Sequence, residues 1–233
     1  MLDNVLELYL NGDTTVAPVR YTVKEIINAG YTGRNQAAVQ AHIDELKAVG
    51  VPAPDKIPTY YTKAARLLTT DDGFYAVDEE NTGECEYVLL RAEHGKIYVG
   101  VGSDHTDRAL ERTHIPKAKQ MCPNFISRNI WNYEDVKANW DNMEMRSWIH
   151  GNRKTLLQET KLDAFMTPED LMARVKELCG GKLEPGTVIF SGTVGGLIDG
   201  YPFSDNFEVE LLNPANGDKL VCKYDIKLIK TYH

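Results

Sequence analysis

The chain lacks the marks of several protein classes. No apolar run is long enough to span a bilayer, and Met1-Leu2-Asp3-Asn4 opens no secretory signal, so neither a membrane span nor a leader is expected. It lacks a basic excess: 26 Lys and Arg against 34 Asp and Glu give a net charge of −8, which argues against nucleic-acid and anionic-membrane partners. Cys85, Cys122, Cys179 and Cys222 stand far apart with no C-x-x-C pair, which removes zinc knuckles and dithiol redox motifs. Free thiols in a reducing compartment, and hence a cytoplasmic location, are the expectation. A structural role is expected for Cys122, with a thiol pKa lowered by the nearby charges of Lys117 and Lys119 as the alternative. The glycine-rich stretch Ser191 to Gly196 has no P-loop lysine and does not form G-x-G-x-x-G before a helix.

What remains is an ordinary globular composition, 42% hydrophobic and 26% charged over 233 residues, enough for one good core. Alternation predicts a β-hairpin over residues 2–23, turning at Asn11-Gly12-Asp13. Thr22 to Ala29 reads as a short helical turn. Asn35 caps a helix to about Val49, with Val39, Ile43 and Leu46 as its apolar stripe and Gly50 at its C-terminus. After the break at Val51-Pro52-Ala53-Pro54, Thr59 to Thr62 is extended. Met143 to Ile149 is a strand, and Thr167-Pro168 starts a helix carried inward by Leu171, Val175 and Leu178. Phe207 to Leu212 and Lys219 to Ile229 form a terminal hairpin. Two or three short helices among many strands, with no repeat or linker, predict one α+β domain over residues 1–233.

The stretch from Gly83 to Arg108 holds the most chemistry. Two apolar runs joined by His94-Gly95 read as an antiparallel hairpin, with Glu84 and Glu86 on one face of the first strand and Asp104 ending the second. Like charges so close repel unless a cation lies between them, and an all-carboxylate set suits a hard ion such as Mg²⁺ or Mn²⁺. Two readings stay open. Glu-x-Glu is common on solvated strand faces, and Glu208 and Glu210 repeat it in the terminal hairpin, where a solvated face is the simplest account. A two-residue turn at His94-Gly95 would place Asp104 opposite Cys85, on the wrong face; a turn one residue longer, or a bulge at Gly102, would bring it across from Glu84 or Glu86. On the predicted helix, His42 and Glu45 are neighbours at i, i+3, where a carboxylate orients an imidazole; a partly buried structural histidine fits the same spacing.

These segments together resemble the fumarylacetoacetase (fumarylacetoacetate hydrolase) family. Gly33-Arg34-Asn35 is similar to its G-R-N loop before a catalytic His-x-x-Glu helix, matched by His42 and Glu45. Gly83-Glu84-Cys85-Glu86 resembles its Glu-x-Glu metal pair, and Asp104-His105-Thr106-Asp107-Arg108 its D-x-[ST]-A-R segment. Lys119 matches the lysine of A-K-S-F, Gln158 falls in an R-Q-x-x-x-T-like stretch, and Pro185 to Thr193 resembles G-D-[IV]-I-x-T-G-T-P. The matches keep their order over residues 33–193. Departures include a longer Asn35–His42 spacing, a shorter Glu86–Asp104 connection, Asp107-Arg108-Ala109 in place of Ala-Arg-Asp, and Val194 in place of proline.

The resemblance implies a β-rich mixed β-roll or β-sandwich of the family's C-terminal-domain type, with the N-terminal hairpin and catalytic helix of residues 1–60 packed on it, in a homodimer of a divergent bacterial-type branch. It implies Mg²⁺ or Mn²⁺ on Glu84, Glu86 and Asp104. It further implies C–C hydrolysis or decarboxylation of a 2-oxo acid or acylpyruvate through an enolate, with isomerisation or hydration of unsaturated oxo acids, or a non-catalytic ligand-binding role, as alternatives. His42 oriented by Glu45 would be the base and Lys119 would hold the carboxylate or enolate. Arg34, Arg108, Gln158, Gly192 and Thr193 would contact the substrate, although a surface arginine describes Arg34 equally well and Lys63 has less to support it.

Overall fold

The computed structural model describes residues 4–48, 53–198, 200 and 202–230, and excludes the side chains of residues 42, 45, 46 and 48. Among the described residues the architecture is mostly strand with a few short helices and a curled, half-barrel sheet. No described helix is long and apolar enough to cross a membrane.

The large sheet runs in the order Val19–Val23, Asn4–Leu10, Asn129–Asn132, Ile97–Asp104, Cys85–Arg91, Thr187–Phe190, Glu25–Gly30 and Thr59–Lys63. Asn124–Ile126 pairs beside Ile97–Asp104 at its curled end. A second sheet stacks Thr155–Lys161, Glu144–Ile149, Asn206–Leu212, Lys219–Leu228 and Gly73–Ala76. Apolar side chains of both sheets share one core. Phe125 of the large sheet stacks flat on Tyr224 of the small one, ring centroids 3.7 Å apart, and Tyr87 packs edge-on against Trp140 and Phe165.

The expected helical turn at Thr22 to Ala29 is instead two strand segments. Ile26, Ile27, Asn28 and Ala29 are all buried, because Glu25–Gly30 lies inside the large sheet between Thr187–Phe190 and Thr59–Lys63. Sheet pairing on both edges outweighs local propensity there. The helix after Asn35 forms as expected over Gln36–Ala48, the Asn35 side chain accepting from the amides of Ala37 and Ala38. Gly50, Val51, Pro52 and the first residues of the N-terminal hairpin lie outside the described residues. Thr167 caps Pro168–Leu178 through the Asp170 amide, but Leu178 is exposed and only Leu171 and Val175 carry the inward face. Helices are more numerous than expected, since Arg108–Glu111, Ile115–Met121 and Tyr133–Val136 add short turns.

The hairpin register decides where Asp104 falls. Arg91 pairs with Ile97 and Cys85 with Ser103, in one unbroken register with no bulge at Gly102. The connection is a three-residue turn, Glu93–Gly95, closed by Ala92 N–H donating to Lys96 O at 2.9 Å, with His94 and Gly95 at φ 55° and 81°. The two-residue turn therefore does not occur. One further step of the observed register sets Asp104 against Glu84. Gly102 makes room for this end of the sheet: a Cβ there would lie 2.2 Å from the Phe125 carbonyl oxygen of the neighbouring strand.

The second acidic pair is not a solvated face. Glu208 and Glu210 are only 7% and 5% exposed, because Arg153 from the preceding turn bonds both at 2.6 Å while lying over the Trp148 ring at 4.2 Å. A long cation with an apolar stem covers them.

Candidate active site

A cleft of about 850 Å³ opens between the large sheet, the Gln36–Ala48 helix and the Gly192 turn. Carboxylate oxygens of Glu84, Glu86 and Asp104 lie within 4.8 Å of one another beside it, with Glu86 and Asp104 each 1% exposed. Alternation on one strand brings in the two glutamates, and the three-residue turn brings in the aspartate.

Three cations stand around these acids. Lys119 Nζ lies 2.7 Å from Glu84 Oε2 and 2.8 Å from Asp104 Oδ2, and donates to Thr106 Oγ1 at 3.0 Å. Arg108 reaches Glu84 Oε1 at 3.0 Å and Glu111 at 2.8 Å. Lys63, buried to 1% exposure, lies 3.3 Å from Asp104 Oδ1 and donates to Asn124 Oδ1 at 2.6 Å. The outcome differs for each acid. Burial pushes the Glu84 carboxyl up, but Lys119 and Arg108 outweigh it and hold it at about 2. Glu86 is pushed well above the usual carboxylate range by burial and by the charges of Asp104 and Glu84. Its hydrogen bond among the described residues comes from the Gly192 amide, 2.8 Å from Oε2.

This donor set fits a divalent cation. It is all oxygen, compact and largely buried, and among the described residues one of its three acids has no cationic side chain bonded to it. Glu84, Glu86 and Asp104 would hold the ion.

The other expected site residues divide. Lys119 and Arg108 line the cleft and contact the acids. Gln158, Gly192 and Thr193 line it too, but their polar atoms bond inward. Gln158 Oε1 accepts from Cys85 N and Ser147 Oγ, and its Nε2 donates to Thr193 Oγ1 and the Val194 carbonyl. Thr193 Oγ1 donates to the Cys85 carbonyl at 2.9 Å, and Gly192 N–H is taken by Glu86. The turn thus braces the Cys85–Glu86 strand. Arg34 is turned away: it forms a bidentate pair with Asp141 at 2.9 and 2.6 Å, bonds the Phe165 carbonyl, and does not line the cleft. Asn35, Ala38 and Val39 of the helix line the cleft. The side chains of His42 and Glu45 lie outside the described residues.

Cys122 is free and buried, and burial pushes its thiol up to about 12 despite Lys63, in keeping with the structural role expected of it. All four cysteines are free. Sequence reasoning gave Lys63 little weight and passed over Asn28, Thr106, Glu111 and Asn124. Lys63 ends an extended run whose Thr59 and Tyr61 share its face, and this alternation was the only available signal.

A family model spans residues 29–224, most of the chain. The chain belongs to the family described as "Protein of unknown function (DUF2848)". No curated protein matches the sequence. Among solved structures, this DUF2848 protein is similar to 2-keto-3-deoxy-D-arabinonate dehydratase complexed with magnesium and 2,5-dioxopentanoate. The TM-score is 0.62 at 16% identity, covering 89% of this chain and 74% of that one. Cg1458 gives 0.59 at 14% identity, covering 94% and 87%. The 4-oxalocrotonate decarboxylase from Pseudomonas putida G7, complexed with magnesium and adipate, gives 0.55 at 14%, covering 87% and 77%. At these identities the likeness is one of fold. The DUF2848 protein shares the fold of these structures.

Proposed function

We propose that this DUF2848 protein is a divalent-cation-dependent enzyme, a divergent branch of the fumarylacetoacetase superfamily. It would act on a small 2-oxo acid or acylpyruvate-like carboxylate by C–C hydrolysis or decarboxylation through an enolate. One observation carries the reading: Glu84, Glu86 and Asp104 converge within 4.8 Å at a cleft large enough for such a substrate. The magnesium and small carboxylates in the dehydratase and decarboxylase structures support it.

When bound, Mg²⁺ or Mn²⁺ would supply Lewis-acid stabilisation of negative charge at the 2-oxo group. Lys119, charged and beside the acids, would steady a substrate carboxylate or the developing enolate, with Arg108 adding a second positive group. His42 would move the proton, oriented by Glu45. Position 42 follows Ala38 and Val39 by one helical turn, and those residues line the cleft. Gln158, Gly192 and Thr193 serve as positioning groups for Glu86 and its strand, and Arg34 anchors the loop before the helix. A single domain over residues 1–233, a homodimer and a cytoplasmic location belong to the same proposal.

The dehydratase among the similar structures favours a second reading, isomerisation or water addition and loss on an unsaturated oxo acid at the same site. The test is a panel of acylpyruvates, oxaloacetate and unsaturated oxo acids with Mg²⁺ and Mn²⁺. Metal-dependent turnover is expected. His42→Ala should cut it by about a hundredfold or more with metal binding intact, and Glu84→Ala should abolish metal binding. Absence of both turnover and Mg²⁺ binding would leave only a ligand-binding protein of this fold.

A further inference from the structure

Asn28, 1% exposed on the Glu25–Gly30 strand, lines the cleft that also holds Glu84, Glu86 and Lys119. Its Nδ2 has no hydrogen-bond partner among the described residues. Buried amides are seldom left so, because an unmade bond there is costly.

A chain of one-way hydrogen bonds fixes which end of the amide is open. Lys63 Nζ, beside Asp104, donates to Asn124 Oδ1 at 2.6 Å, and its ammonium form offers donors only. That commits the Asn124 amide, so Asn124 Nδ2 donates to Asn28 Oδ1 at 2.9 Å. Asn28 Oδ1 is therefore the acceptor of this chain, and the Nδ2 protons are left for something else. Asn124 is also the register partner of Asp104, so the chain starts beside the carboxylates and ends at the cleft floor.

We propose that Asn28 Nδ2 donates a hydrogen bond to an anionic or carbonyl oxygen of the ligand held beside Glu84, Glu86 and Asp104, making Asn28 a binding residue selective for oxygen acceptors. This rests on the reading that the cleft binds a cation and a small oxo acid. A flipped amide would break the bond from Asn124, so the Lys63–Asn124 pair acts as the lock that holds Asn28 Oδ1 as an acceptor and leaves Nδ2 as the open donor. A neutral ligand offering a hydroxyl or amine hydrogen at that point finds no acceptor.

The experiment is calorimetry with Mg²⁺ alone and then with oxalate, a small dianionic probe, added to the Mg²⁺-loaded protein. Wild type should bind oxalate only with Mg²⁺ present. Asn28→Asp keeps the shape and the acceptor for Asn124 but replaces the donor with an acceptor. It should retain or tighten Mg²⁺ binding while oxalate binding falls at least about tenfold, a split that loss of structure would not give. Because the variant can fail to fold, the wild-type side-chain amide of Asn28 is followed by ¹⁵N NMR. Its protons should move downfield with Mg²⁺ and oxalate together and stay put with Mg²⁺ alone. No Mg²⁺-dependent oxalate binding by wild type would overturn the functional reading and this assignment with it. Oxalate binding accompanied by an unmoved Asn28 amide, or by undiminished affinity in a folded Asn28→Asp, would overturn the Asn28 assignment alone.

Discussion

Lys119→Met should destabilise the metal-free protein and make it depend on Mg²⁺. Lys119 Nζ sits 2.7 Å from Glu84 and 2.8 Å from Asp104, both largely shielded from water. Removing one partner from a buried ion pair costs about 3–5 kcal/mol. The lower figure applies, because Glu84 keeps Arg108 at 3.0 Å and Asp104 keeps Lys63 at 3.3 Å. For a chain of this size about 3 kcal/mol lowers the melting temperature by roughly 6–12 °C. A divalent cation at the triad returns positive charge to the same carboxylates, and a ligand at a hundred times its Kd adds about 2.7 kcal/mol. Saturating Mg²⁺ should therefore restore most of the loss, with a larger thermal shift in the variant than in wild type. Thermal denaturation with and without Mg²⁺ measures both. An apo variant melting at or above the wild-type temperature, or a Mg²⁺ shift no larger than that of wild type, would refute the charge balance described here.

Three further outcomes follow from the same geometry. Glu86→Gln should leave the apo melting temperature within about 2 °C, because burial and neighbouring carboxylates already favour a neutral Glu86, yet remove the Mg²⁺-induced shift; an intact shift would dissociate Glu86 from the ion. Glu84 is held at about 2 in the folded protein, below its ordinary value of 4.5. Its contribution is thus complete above pH 4.5 and lost as pH falls toward 2; acid titration of Glu84→Gln should show a shallower stability loss over that window than wild type. Gly102→Ala should cost roughly 2–4 kcal/mol, since its Cβ would lie 2.2 Å from a backbone oxygen; denaturant unfolding measures it, and a cost below 1 kcal/mol, by the same scale, would mean the strands part easily.

The sequence made the strand-rich architecture readable wherever one face is buried and the other wet, as in the Asn4–Leu10 and Lys219–Leu228 strands. It failed at Glu25–Gly30, where the run Ile26-Ile27-Asn28-Ala29 carries no alternation because the strand is buried on both faces. The acidic triad was legible as residue types, but its assembly depended on a single turn residue. Only His94 and Gly95 in left-handed conformations make the three-residue turn that brings Asp104 round to Glu84. Lys63 and Asn124 were not legible, because their partners come from distant segments and a buried lysine at a strand end looks in sequence like an exposed one. Glu208 and Glu210 misled for the mirror reason: their cover, Arg153, arrives from another hairpin.

The most direct test of the central claim is anomalous diffraction from crystals soaked in Mn²⁺. A single peak bounded by the carboxylates of Glu84, Glu86 and Asp104 is the predicted result. Saturating Mn²⁺ that leaves no peak there, with Lys119 still bridging Glu84 and Asp104, would contradict it.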